Sequence, residues 1–199
     1  MAPVNVTRAA LTANVVTLTV DAIGGLRVGY KVNVQGVDTP AQPHFDGVHT
    51  LTGVITTVVN GADVYTVTYA KNHNGNIPAY DCAGYARIVC QWIDTPDVED
   101  WLGVPPATQA DEDFLAACID AANQWAWDRR QSAGYIADLA NVAPTESVKL
   151  GTVMYAATNY RERATVDSFT SFQDLGGTAQ VGSIGQILRL LGCNRPRVA

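Results

Sequence analysis

The side chains able to do chemistry are few and scattered. His44 and His49 flank Asp46 in the loop-like stretch AQPHFDGVHT. Two imidazoles around a carboxylate could hold a divalent ion, but the pattern supplies no third anchored ligand and no second shell, so no metal is expected there. Cys82, Cys90, Cys118 and Cys193 form no C-x-x-C pair and no zinc-like spacing, which leaves free buried thiols in a reducing cytoplasm. Asp97, Glu99, Asp100, Asp111, Glu112 and Asp113 invite a catalytic or calcium reading. They fall at two helix starts, where capping and the helix dipole account for them more simply. Gly182-Ser183-Ile184-Gly185 superficially resembles a phosphate loop, yet no strand precedes it and no Lys accompanies it, so it reads as a hinge. No G-x-S-x-G, Walker loop, G-x-G-x-x-G or H-E-x-x-H occurs. The expectation is a non-enzymatic protein with no catalytic, cofactor or metal residues.

The elements that position these residues fall into two halves of different period. From Asn14 to about Ile88 the chain reads as five short antiparallel strands. Val16, Leu18 and Val20 alternate with Val15, Thr17 and Thr19, and RVGYKVNVQGV, GVHTLTGVITTVV, DVYTVTYA and PAYDCAGYARIVC follow. Asn60-Gly61 is a type I′ hairpin signal, and the whole predicts a small barrel or sandwich over residues 1–90. Residues 91–199 read as helical. Thr95-Pro96 caps a short helix, DVEDWL, and Thr108 with Asp111 caps a longer one running to Arg129 and Arg130. Its inner stripe joins Phe114, Cys118, Ala122 and Trp125, with Leu115, Ile119 and Ala126 beside them. A third helix spans Pro144 to about Ala164, with Val148, Val153, Met154, Ala157 and Tyr160 at helical spacing. An irregular stretch from Val166 to Ser183 leads to a last helix, Ile184 to Leu191, ended by Gly192. The fold class is α+β, a β module followed by a helical bundle.

Charge excludes some partners. With 47% hydrophobic and 16% charged residues the chain is a folding sequence, not a disordered one. It has no signal-peptide-like start, and no run approaches the roughly 18 apolar residues of a membrane span. The net charge of −6 lies wholly beyond residue 90, where nine acids and no base occur between Asp94 and Asp128. Tight duplex binding needs clustered bases, and only the tail, with Arg189, Arg195 and Arg197, is basic. Trp92, Trp101, Trp125 and Trp127 are all in the helical half. Trp125 and Trp127 point about 200° apart on one helix, so one of them is expected at a subunit contact.

The helical half resembles a known family. TPDVEDWLGVPPATQADEDFLAACIDAANQWAWDRR, then TESVKLGTVMYAATNYRERAT, a glycine-rich stretch and SIGQILRLLG are similar to the head-to-tail connector (adaptor) proteins of long-tailed double-stranded DNA bacteriophages. The similarity covers about residues 92–195. The N-terminal half, through F-D-G-V-H-T-L-T and Y-T-V-T-Y-A, resembles β-rich modules carried by actinobacterial phage proteins, and short connectors lack it. The resemblance implies a structural virion protein, made in the host cytoplasm and placed in the neck. It would form a dodecameric ring under the portal, receive the next neck or stopper protein, and let DNA pass without sequence-specific binding or a membrane. It places Ile184, Ile187, Leu188, Leu191, Arg195 and Arg197 in a portal-docking segment, about residues 184–199, which Gly176, Gly177, Gly182 and Gly185 would tether as an arm able to leave its own subunit. Trp101, Phe114, Trp125, Trp127 and Tyr160 become subunit-contact candidates, and the six acids named above become candidates for a channel wall or seam, where negative charge would keep DNA sliding.

A second reading makes the β module a binding domain, for a tail partner or a cell-surface carbohydrate, oligomerised by the helices. Exposed Tyr65, Tyr69, Tyr80 and Tyr85 on one strand face would favour it.

Overall fold

The computed structural model describes residues 3–41, 44–103, 105, 106, 108–166 and 184–193. The chain divides into two units, Met1–Val89 and Cys90–Ala199. The first is a closed barrel of six antiparallel strands: β1 (Val4–Thr12), β2 (Val15–Val20), β3 (Lys31–Gln35), β4 (Gly47–Val59), β5 (Ala62–Ala70) and β6 (Ile77–Val89). They pair around the barrel in the order β1-β2-β5-β4-β3-β6. Six strands replace the five expected from sequence. The additional one, β1, hid because its alternation changes phase: Val4 and Val6 point inward, a register shift follows between Val6 and Arg8, and Ala9 and Leu11 then take over the inner face. Its hairpin turn to β2 is Ala13-Asn14, both at positive φ, and Ala is a poor signal for such a turn. RVGYKVNVQGV supplies a strand only over Lys31–Gln35.

Closure buries Val6, Leu11, Val16, Leu18, Val32, Val34, Leu51, Val67 and Tyr69, each about 1% exposed or less, in one interior. Gly84 in β6 is required by a close approach: a Cβ there would lie 2.4 Å from Val37 Cγ2 and 2.7 Å from the Gln35 carbonyl oxygen. Asn60 and Gly61, at φ 53° and 81°, close the β4–β5 hairpin as the sequence predicted.

The second unit holds α1 (Thr95–Leu102), α2 (Gln109–Ser132), α3 (Glu146–Val166) and α4 (Ile184–Leu190). The N-cap of α1 is Asp94, not Thr95. Its carboxylate accepts from the Asp97 amide while Asp97 Oδ2 accepts from the Asp94 amide, a reciprocal box that places Thr95 and Pro96 inside the first turn. Thr108 caps α2 as expected, accepting from the Asp111 amide and donating its hydroxyl to Asp111 Oδ2 at 2.7 Å. Ile93, Val98, Leu115, Ile119, Ala122, Val153, Ala156 and Ala157 form the core that α1, α2 and α3 share. Of the irregular stretch expected over 166–183, Val166 ends α3 and 167–183 lie outside the described residues. Among the described residues no helix is long and apolar enough to cross a membrane.

Candidate functional site

The helical unit is held by two buried polar side chains, Asn123, which sequence patterning did not single out, and Arg130, which it read only as a charge matching the helix dipole. Asn123 lies on the inner stripe of α2, 3% exposed. Its Oδ1 accepts from the Trp92 and Ile93 amides at 3.0 Å each, and its Nδ2 donates to the Ile93 carbonyl at 3.0 Å. The extended segment entering the unit is thereby pinned to α2, with Trp92 Nε1 donating to the Leu139 carbonyl at 2.8 Å. Arg130, in the last turn of α2, is 6% exposed. Its Nε donates to Asp138 Oδ2 at 2.5 Å, its Nη1 to the Leu191 carbonyl at 2.6 Å, and its guanidinium lies 3.9 Å from the Tyr135 ring centroid. Tyr135 in turn donates its hydroxyl to the Gly192 carbonyl at 3.2 Å. Both acceptors lie just past the end of α4, whose Ile187, Leu188 and Arg189 carbonyls already accept from the Leu191, Cys193 and Gly192 amides, so Arg130 and Tyr135 fasten the turn that follows the helix.

This clasp decides where α4 goes. Ile187 and Leu191 are buried, 1% and 0% exposed, on a helix packed against α3. The crossing is close because of Gly151: a Cβ there would meet Leu190 Cβ at 3.0 Å. The docking stripe expected from sequence is therefore halved. Ile187 and Leu191 belong to the chain's own bundle, while Ile184 is exposed and Leu188 half-buried. Arg195 and Arg197 lie outside the described residues, as do Gly176, Gly177 and Gly182.

The aromatic candidates separate likewise. Trp127 is 3% exposed and packs edge-on to Trp92, centroids 5.7 Å apart, so it is a core residue and not a contact residue. Trp125, on the other side of α2, is half-buried, stacked on Tyr155 at 4.1 Å with the Arg129 guanidinium 5.7 Å from its centroid. Phe114 and Tyr160 are half-buried against each other, and Trp101 is 40% exposed.

The acids are not equivalent. Asp97, besides capping α1, pairs with Lys149 of α3 at 2.7 Å. Partial burial pushes its carboxyl up, but the Lys149 ammonium and the Asp94 amide outweigh that and hold it below the usual carboxylate range. Asp111 serves the α2 cap, and Asp113 accepts from Gln109 Nε2 at 3.1 Å. Glu99 and Asp100 lie beyond the first turn of α1 and not at a helix start as expected, so capping does not account for them; Glu99 is half-buried, and Asp100, Glu112 and Asp113 are exposed.

In the barrel, the residues that first suggested metal chemistry hold a loop. Asp46 accepts from the Gly36, Val37 and Asp38 amides at 2.9, 2.9 and 3.2 Å. Asp38 accepts in return from the amides of Phe45 and Asp46. Tyr69 donates to the Phe45 carbonyl at 2.7 Å, and Tyr80 to the Val37 carbonyl at 3.0 Å. His49 stacks on Tyr69, centroids 4.0 Å apart, with Nε2 at 3.0 Å from the same Phe45 oxygen, while His44 packs against His73. Burial lowers the His49 pKa, and burial raises that of Tyr80 to about 12. Asp46 thus has its oxygens directed at backbone amides, and among the described residues no group of three or more His, Cys, Asp or Glu could hold a metal ion. The four tyrosines do not form one exposed face: Tyr69 is buried, Tyr65 and Tyr80 half-buried, and only Tyr85 exposed.

Compared with family models, with curated proteins and with solved structures, the chain finds no match.

Proposed function

We propose that the chain is a structural virion protein, a head-to-tail adaptor whose helical unit assembles into a ring beneath the portal. The observation that carries this reading is one of composition on a surface. α1, α2 and α3 leave an aromatic set partly outside, Trp101 and the Trp125–Tyr155 stack, on the same helices that leave Asp100, Glu112 and Asp113 exposed. Half-buried Trp and Tyr gain most from a partner that covers them. A subunit that covers them with its neighbours would carry its acids around a shared passage, where negative charge repels the DNA backbone and prevents trapping. The sequence resemblance supports the same order of helices.

In this reading the portal meets α4 as it lies in the bundle, through Ile184, Leu188 and the basic tail, and not as a released arm. The experiment is portal co-purification with Ile184→Asp and Leu188→Asp, singly and together. Loss of portal with the melting temperature kept supports docking through α4. Undiminished portal binding by the double variant contradicts it.

A further inference from the structure

The β4–β5 hairpin continues beyond the barrel wall as a two-stranded arm. Pairing between β3 and β4 ends at Lys31 with Thr50, and Leu51 makes the last contacts on that side, to Gly29 and Tyr30. From Val54 to Val59 β4 pairs only with β5 among the described residues, and Ala62 to Val64 of β5 lie past the last β2 partner, Val20 with Tyr65. The arm is exposed and apolar, with Ile55, Val58 and Val59 at 48%, 69% and 51% exposure. Its only charge from Val54 to Val64 is Asp63, on the outer strand.

The register fixes which backbone groups are unpaired. A two-residue turn makes Val59 and Ala62 a hydrogen-bonded pair, so Thr57 and Ile55 also bond to β5, and the amides and carbonyls of Val54, Thr56 and Val58 face away from it. These three positions form an open edge. It carries none of the protections proteins give such edges: no Lys, no Pro, and no irregularity beyond the shift at Leu51 and Gly53. A bare two-stranded ribbon is also marginal in water, and adding strands stabilises it.

We infer that this edge pairs with the same edge of a second copy of the chain, antiparallel about a twofold axis at Thr56. The self-complementarity of the segment selects this occupant. Centred there, Val54 faces Val58 of the other copy, Thr56 faces its equivalent, and Ile55 faces Thr57. All are β-branched cross-strand pairs with no charge opposed, and the two Asp63 carboxylates lie on the outer strands. The product is a four-stranded sheet spanning two chains. An isologous contact closes on two copies, whereas a cyclic ring needs head-to-tail contacts, so this contact is additional to the ring and independent of it.

The test is the assembly mass of the full-length chain by sedimentation velocity, for wild type, Thr56→Lys and Thr56→Glu. Each single charge opposes its own copy across the axis. We expect both variants to sediment at half the wild-type mass, and their equimolar mixture to return to the wild-type mass, because Lys then faces Glu. A ring built by the helices would persist through all three and only its pairing would change, so a failed ring does not mimic a failed arm. Variants that keep the wild-type mass, or a mixture that stays at half, overturn the inference. Hydrogen exchange on unmodified protein gives an independent check. The amides of Val54, Thr56 and Val58 should gain protection as concentration rises, and fast exchange at every concentration contradicts the pairing.

Discussion

The two units use side-chain hydrogen bonds for different purposes. In the barrel they converge on one loop: the half-buried Asp38 and Asp46 exchange bonds eight residues apart, and the Tyr69 and Tyr80 hydroxyls, 24 and 43 residues from their acceptors, hold the same loop to the wall. In the helical unit they fasten the segments at its two ends. Asn123 reaches back 30 residues to Ile93, and Arg130 reaches forward 61 to Leu191. The barrel is thus specified by strand pairing with a local loop lock, while the helical unit depends on two side chains to decide which distant segments belong to it. The lesson for function is direct. A C-terminal helix that reads as a free docking arm is tied down by an arginine at the far end of another helix.

That contrast can be broken most severely at Arg130. Replacing it by Met leaves Asp138 buried without its partner and the Leu191 carbonyl without its donor, which should cost about 3 to 5 kcal/mol. All four tryptophans lie in the helical unit, so their fluorescence reports that unit while far-ultraviolet circular dichroism retains the barrel's strands. Tryptophan melting should fall sharply in Arg130→Met with strand signal kept. A variant melting like wild type would mean the clasp carries no weight.

A smaller effect should come from Leu191→Ala, which removes a fully buried side chain at the α3–α4 crossing and should cost about 2 to 5 kcal/mol. Deleting residues 184–199 should likewise lower the tryptophan melting temperature, since it takes Ile187 and Leu191 out of the bundle. A deletion that leaves melting unchanged would restore the released-arm picture of docking.

The smallest effects separate the units by pH. His49 is held neutral by burial and by Lys71, against the pull of the Phe45 carbonyl, so the unfolded chain takes up its proton first. Barrel stability should therefore be full above about pH 6.5 and fall as pH drops through that value. His49→Gln should flatten this slope, and an unchanged slope would assign it elsewhere. Asp97 responds to acid in the same sense but in a lower window: its folded carboxyl titrates below its unfolded value, so its contribution stays present above about pH 4 and is lost only on further acidification. Lys149→Ala should remove about 0.2 to 1 kcal/mol of helical-unit stability at neutral pH, the range for a half-exposed pair.

These contrasts also explain what could be read from the chain alone. The strands from Val15 onward were legible because β-branched residues alternate between Gly and Asn-Gly turns, and α2 because Thr108, the first-turn acids and an apolar stripe agree. β1 was lost to a single phase change after Val6 and a turn built on Ala13. The cap of α1 was misplaced by one residue because Asp94 and Thr95 are both good caps, and only geometry selects the one whose carboxylate reaches the Asp97 amide. Arg130 and Asn123 were illegible for a different reason. Polar side chains read as surface, although Arg130 continues the phase of Ala122 and Ala126, and that phase was the available signal. The surface candidates fared according to their neighbours: Trp125 and Trp127 looked alike in sequence, and only packing against Trp92 puts the second inside.

Electron microscopy of the full-length chain mixed with the portal protein encoded beside it tests the proposed ring. Closed rings of about a dozen copies seated coaxially on the portal, with the helical units forming the ring wall, are expected. Subunits that remain monomeric or paired at high concentration, and leave the portal bare, would contradict it.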